Sequence, residues 1–97
     1  MRVEGFEWDE GNRDKNWNNH GVLLKECEEV FFNTPVKIAE DPKHSQREKR
    51  YSILGKTDKE RFLSIVFTIR KEMIRVISAR NQSRKERRQY EEAEKTT

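Results

Sequence analysis

The run Phe62-Leu63-Ser64-Ile65-Val66-Phe67-Thr68-Ile69-Arg70 decides the fold. Branched and aromatic residues dominate it, and Leu63, Ile65, Phe67 and Ile69 share one side of a period of two. It reads as the strongest strand of the chain. Lys71-Glu72 turns it, and residues 73–79 return as a partner. Upstream, Arg50-Tyr51-Ser52-Ile53-Leu54 reads as a strand closed by Gly55, and Val36-Lys37-Ile38-Ala39 as another; residues 41–45 loop between them. Short connections favour antiparallel neighbours, so the expectation is a four-stranded antiparallel meander.

Helical patterns flank this sheet. Asp9 is a good N-cap for a polar helix over residues 9–20, ended by Gly21, with Trp17 as its apolar anchor and His20 on the same face. Leu24, Cys27, Val30 and Phe31 then repeat at helical spacing, until Asn33-Thr34-Pro35 stops the second helix. Phe6-Glu7-Trp8 reads as a short strand or an extended arm. Ser83 followed by Glu86 fits a capping box that opens a third helix over residues 84–94, supported by Arg87–Glu91 and Arg88–Glu92 pairs. The expected class is α+β: two N-terminal helices, a four-stranded antiparallel sheet and a C-terminal helix, in one domain over residues 1–97.

Composition narrows the function. The chain has 97 residues, 32% hydrophobic and 40% charged, so its core is small. A single cysteine, Cys27, excludes an internal disulfide and lies on an apolar helix stripe, which makes it a core residue. No apolar run approaches the ~20 residues that span a bilayer, and the first residues lack a secretory pattern. A cytoplasmic protein without membrane contact is expected. The net charge of +3 is unevenly spread: residues 1–32 carry −4, residues 47–88 carry +9 and residues 89–97 carry −2. A +9 segment is either a polyanion footprint or a solvated basic face.

Arg84 and Lys85 open the third helix, where cations oppose the helix dipole. They make sense there if they face a phosphate, and Arg88 one turn on joins them as a candidate RNA- or phosphate-binding residue. Arg70 and Arg80 end the two longest strands. Glu48 and Arg50 share parity and hence a face; they form either a proton-accepting site or a surface ion pair. His20 is either a proton-transfer group or a helix-terminal histidine beside Trp17. Tyr90 either packs on the sheet or meets a nucleotide. Asp41 and His44 lack two further ligands, so no metal and no cofactor is expected.

The order of several blocks carries a resemblance. They are Phe6-Glu7-Trp8-Asp9-Glu10, His20-Gly21-Val22, Val30-Phe31-Phe32, Asp41-Pro42-Lys43-His44-Ser45, Glu48 with Arg50-Tyr51, Gly55, and Thr68-Ile69-Arg70. Arg75-Val76-Ile77-Ser78-Ala79-Arg80 and Arg84-Lys85-Glu86-Arg87-Arg88-Gln89-Tyr90 complete them. In this arrangement the chain resembles the BrnT toxin family. The resemblance implies a RelE-like fold and a metal-independent endoribonuclease that arrests translation. It implies a BrnA-type ribbon-helix-helix antitoxin as partner, RNA as substrate, and operator DNA contacted only through the antitoxin. It also implies a site built from His20, Glu48, Arg50, Arg70, Arg80 and Tyr90. Asn19, where relatives often have lysine, and Leu23, where they often have a serine cap, depart from the pattern.

In the mechanism this suggests, Arg70 and Arg80 grip the phosphate with Arg50 in support, Glu48 or His20 is the base, and Tyr90 or His20 is the acid. On that basis Arg80→Ala should lose roughly 10²–10³-fold activity. The competing expectation is a non-catalytic RNA-binding or co-repressor module that uses the same basic surface.

Overall fold

The computed structural model describes residues 3–9, 19–45 and 47–96. In chain order the elements are β1 (Gly5–Phe6), α1 (Leu24–Phe32), β2 (Lys37–Glu40), a single 3-10 turn (Pro42–His44), β3 (Arg50–Lys56), β4 (Phe62–Arg70), β5 (Met73–Asn81) and α2 (Arg84–Lys95). One sheet holds all five strands in the order β1-β5-β4-β3-β2.

The four expected strands form the expected meander, β2 to β5, each antiparallel to the next. The sheet is nevertheless mixed, which corrects the four-stranded antiparallel expectation. β1 lies parallel to β5, with Gly5 opposite Met73 and Phe6 opposite Ile74. Only tight hairpins force antiparallel pairing, and the chain between β1 and β5 is long enough to allow either direction. Of the two expected N-terminal helices, the second is α1. The first, with its Trp17 anchor, lies outside the described residues except at its end, where Asn19 and His20 are helical and Gly21 takes a φ of 63°. That left-handed φ suits a helix-terminating glycine.

α1 packs on one face of the sheet. Phe31 meets Phe67 edge-on at 5.0 Å between ring centroids, and Cys27, Val30, Ile53, Leu63, Ile65, Val76 and Ala79 bury with them. Gly55 continues β3 and does not close it. A Cβ there would lie 2.7 Å from Val30 Cγ1, so the glycine lets α1 come close to the sheet. Burial pushes the Cys27 thiol up to about 12, so this cysteine is an inert core residue. Leu23 cannot accept a hydrogen bond at the start of α1, but its N–H donates to the Glu26 carboxylate at 3.0 Å, half of a capping box.

α2 covers part of the opposite face. Ser83 Oγ accepts from Glu86 N at 3.2 Å and Ser83 N donates to Glu86 Oε1 at 2.9 Å, completing the expected capping box. Tyr90 packs against Phe62 at 5.9 Å, and the Arg87 guanidinium stacks 3.7 Å from the centre of the same ring. Arg87 also reaches Glu91 at 3.7 Å, as expected, and Glu94 at 3.1 Å. The remainder of this face carries Arg50, Arg70, Arg75 and Arg80 together with Ser52, Val66, Thr68 and Ser78.

Candidate active site

Strand alternation and one irregularity build the site. Val66 pairs with Ser78 but Phe67 pairs with Val76, so Ile77 is an extra residue in β5. Plain alternation would put Arg75 and Arg80, five residues apart, on opposite faces. The bulge reverses the parity between them. It keeps Val76 and Ala79 in the core and turns both arginines to the face away from α1. Arg50 and Arg75 flank Thr68 in register from the two sides of β4, and Arg70 lies two residues further on the same face. Beyond Arg70, Lys71 and Glu72 both take positive φ, 49° and 65°, as a two-residue hairpin with the strand's own twist requires.

Glu48 is brought to these arginines by a pinned loop. Ser45 Oγ accepts from Arg50 N at 3.0 Å, Asp41 N donates to Arg50 O at 2.8 Å, and Thr68 Oγ1 donates to Lys49 O at 2.8 Å. Arg70 then grips the Glu48 carboxylate with Nε at 3.0 Å and Nη2 at 3.2 Å. That hydrogen bond, helped by the charges of Arg70, Arg50 and Arg75, holds the Glu48 carboxyl below the usual carboxylate range. Among the described residues, Arg50 Nε is buried with no hydrogen-bond partner beside this cluster.

The other expected residues lie elsewhere. Arg80 pairs in register with Ser64, six residues along β4 from Arg70, about 20 Å away. Its Nη1 and Nη2 donate to the two Glu86 oxygens at 2.7 and 3.0 Å, and Ser64 Oγ adds a bond to Glu86 at 3.2 Å. The Arg80 hydrogen bond, with the cap on Ser83, lowers the Glu86 carboxyl to about 2. Arg80 therefore clamps the start of α2 to β5. Tyr90 is fully buried and donates its hydroxyl to the Pro35 carbonyl at 2.7 Å, so the phenol is a packing group. His20 is exposed, and its carbonyl accepts from Arg61 Nη2 at 3.2 Å. Arg61 precedes the end of β4 opposite Arg70, nine residues or about 30 Å along the strand, so the fold does not bring His20 to Glu48. Arg84, Lys85 and Arg88 are exposed on α2.

One arginine was missed. Arg75 stands beside Thr68 and donates to Glu7 at 2.8 Å and to Asp9. Its register follows from the two-residue turn at Lys71 and Glu72, which sets Arg75 opposite Thr68 and on the face of Arg70 before the bulge is reached.

A carboxylate among three guanidiniums on an open sheet face fits a phosphodiester and a proton acceptor together. A family model described as the ribonuclease toxin, BrnT, of a type II toxin–antitoxin system matches residues 8–86. The chain belongs to the BrnT family. BrnT membership makes it a ribonuclease toxin and implies an antitoxin partner. The match takes in all four arginines of the face and stops in the first turn of α2, before Arg88 and Tyr90. A search of curated proteins finds no match. Among the described residues, no group of three or more His, Cys, Asp or Glu side chains could hold a metal ion, and no helix is long and apolar enough to cross a membrane.

Proposed function

We propose that this BrnT toxin is a metal-independent endoribonuclease whose active site is the Glu48, Arg50 and Arg70 cluster. The observation that carries the reading is Glu48 held ionised by Arg70 on an open face that also carries Arg50. The phosphate of an RNA chain competes with Glu48 for the Arg70 fork, because both are planar-edge anions of matching width. Once displaced, Glu48 loses the partner that suppressed its basicity and accepts the proton of the adjacent 2′-hydroxyl. The 2′-oxygen–phosphorus bond forms and the phosphorus–5′-oxygen bond breaks. The 5′-oxygen leaves with a proton from water, and a 2′,3′-cyclic phosphate remains. Arg50 and Arg70 stabilise the charge on the phosphorane.

Cutting of RNA arrests translation, and a BrnA-type ribbon-helix-helix antitoxin neutralises the toxin and carries the complex to operator DNA. The test is incubation of the purified toxin with RNA in EDTA. Cleavage to cyclic-phosphate ends supports the reading. RNA bound but left intact favours the non-catalytic RNA-binding or co-repressor module.

A further inference from the structure

We infer that Arg75 is a third phosphate-binding residue of this site, beside Arg50 and Arg70, and that Glu7 and Asp9 occupy its guanidinium as built-in stand-ins for the RNA phosphate. The inference rests on the proposed ribonuclease site and adds a means of regulating it.

Alternation along the N-terminal segment sets up the arrangement. Phe6 and Trp8 turn to the α1 side, where Phe6 meets Phe31 at 5.3 Å and Trp8 Nε1 donates to Glu28 at 3.0 Å. Glu7 and Asp9 therefore turn to the arginine face. Glu7 N donates to Ile74 O at 2.9 Å, which fixes the segment beside β5. Arg75 Nη1 then meets Glu7 and Nη2 meets Asp9. One guanidinium bridging two oxygens from separate anions presents the donors that two oxygens of one phosphate would take. Both carboxylates are nearly half exposed, at 46% and 47%, so water can replace them cheaply.

Charge supports the same inference. Arg50, Arg70 and Arg75 are matched by Glu48, Glu7 and Asp9, so the resting site is neutral inside a segment that is strongly basic. A polyanion gains little from a neutral site until the acids are displaced. The N-terminal segment thus lowers affinity for weak or poorly fitting RNA and yields to a chain that fills the whole row.

Removing acids near a polyanion site tightens binding by simple charge, so the test must isolate Arg75. The probe is a 2′-O-methylated RNA oligonucleotide, which binds but cannot be cut, with affinity read by fluorescence anisotropy at fixed salt. Glu7→Gln with Asp9→Asn should bind about 2- to 10-fold tighter than the unaltered toxin, and Arg75→Ala should bind weaker by a similar factor. In the Arg75→Ala background the two acid substitutions should then change affinity less than about twofold. Equal tightening in both backgrounds, or weaker binding after the acids are removed, overturns the inference. The single variants Glu7→Gln and Asp9→Asn, each checked by circular dichroism, give the same sign test should the double variant unfold. Arg70→Ala measured beside them separates the two readings: no loss of affinity there refutes the proposed site itself, whatever Arg75 does. An unaltered toxin that does not bind the probe refutes both.

Discussion

The two ends of the arginine face carry the same pair, a glutamate gripped by two nitrogens of an arginine, and the surroundings give it two different jobs. At the α2 end, Glu86 accepts four hydrogen bonds: two from Arg80, one from the Ser83 amide and one from Ser64. At the hairpin end, among the described residues, Glu48 accepts two, both from Arg70, and Arg70 is 52% exposed. A carboxylate with backbone and hydroxyl partners is part of the frame. One held by a single exposed arginine can be exchanged for another anion. Bidentate geometry is common to both ends; the remaining partners of the carboxylate are what distinguish the pair proposed as catalytic from the one that holds α2.

Changes at the two ends should therefore separate stability from activity. The largest stability effect belongs to the α2 end. Tyr90→Ala removes a buried ring and its bond to Pro35, and urea unfolding should show a loss of about 3–5 kcal/mol. Arg80→Ala leaves Glu86 half-buried without its main partner, and the same measurement should show a loss of about 1–3 kcal/mol. The Glu86 carboxyl is lowered in the fold from its ordinary 4.5 to about 2, so its ionised form stabilises the protein. That contribution is complete above pH 4.5 and disappears as the pH falls towards 2. Unfolding followed across this window should lose about 1–3 kcal/mol, a slope that Glu86→Gln should flatten. The smallest effect belongs to the hairpin end: Glu48→Gln should change stability by less than about 1 kcal/mol, because its ion pair is exposed.

Much of the frame was legible in the sequence. β4 covers the residues expected of it, and the Ser83–Glu86 box opens α2 where expected. These are local signals: alternation along one strand, and a cap whose two halves lie three residues apart. A short strand at Phe6 was one of two readings, but its parallel pairing with β5 was not legible, since so short a strand carries no pairing signal and its partner lies almost seventy residues away. The candidate site was legible in part. Glu48, Arg50 and Arg70 were singled out and do converge. Arg80 and Tyr90 were singled out as well, but their partners, Glu86 and the Pro35 carbonyl, depend on how α2 docks. Arg75 follows from the two-residue turn at Lys71 and Glu72, which sets it opposite Thr68, whereas the bulge at Ile77, which no glycine announces, decides the face of Arg80.

The most direct test of this division is the rate of RNA cleavage in EDTA by Arg70→Ala and Arg80→Ala, compared at a temperature where circular dichroism shows both folded. The account predicts a loss of about 10²–10³-fold for Arg70→Ala and a rate within a few-fold of the unaltered toxin for Arg80→Ala. A folded Arg80→Ala protein that has lost activity while Arg70→Ala retains it would place the active site at the α2 end and contradict the account.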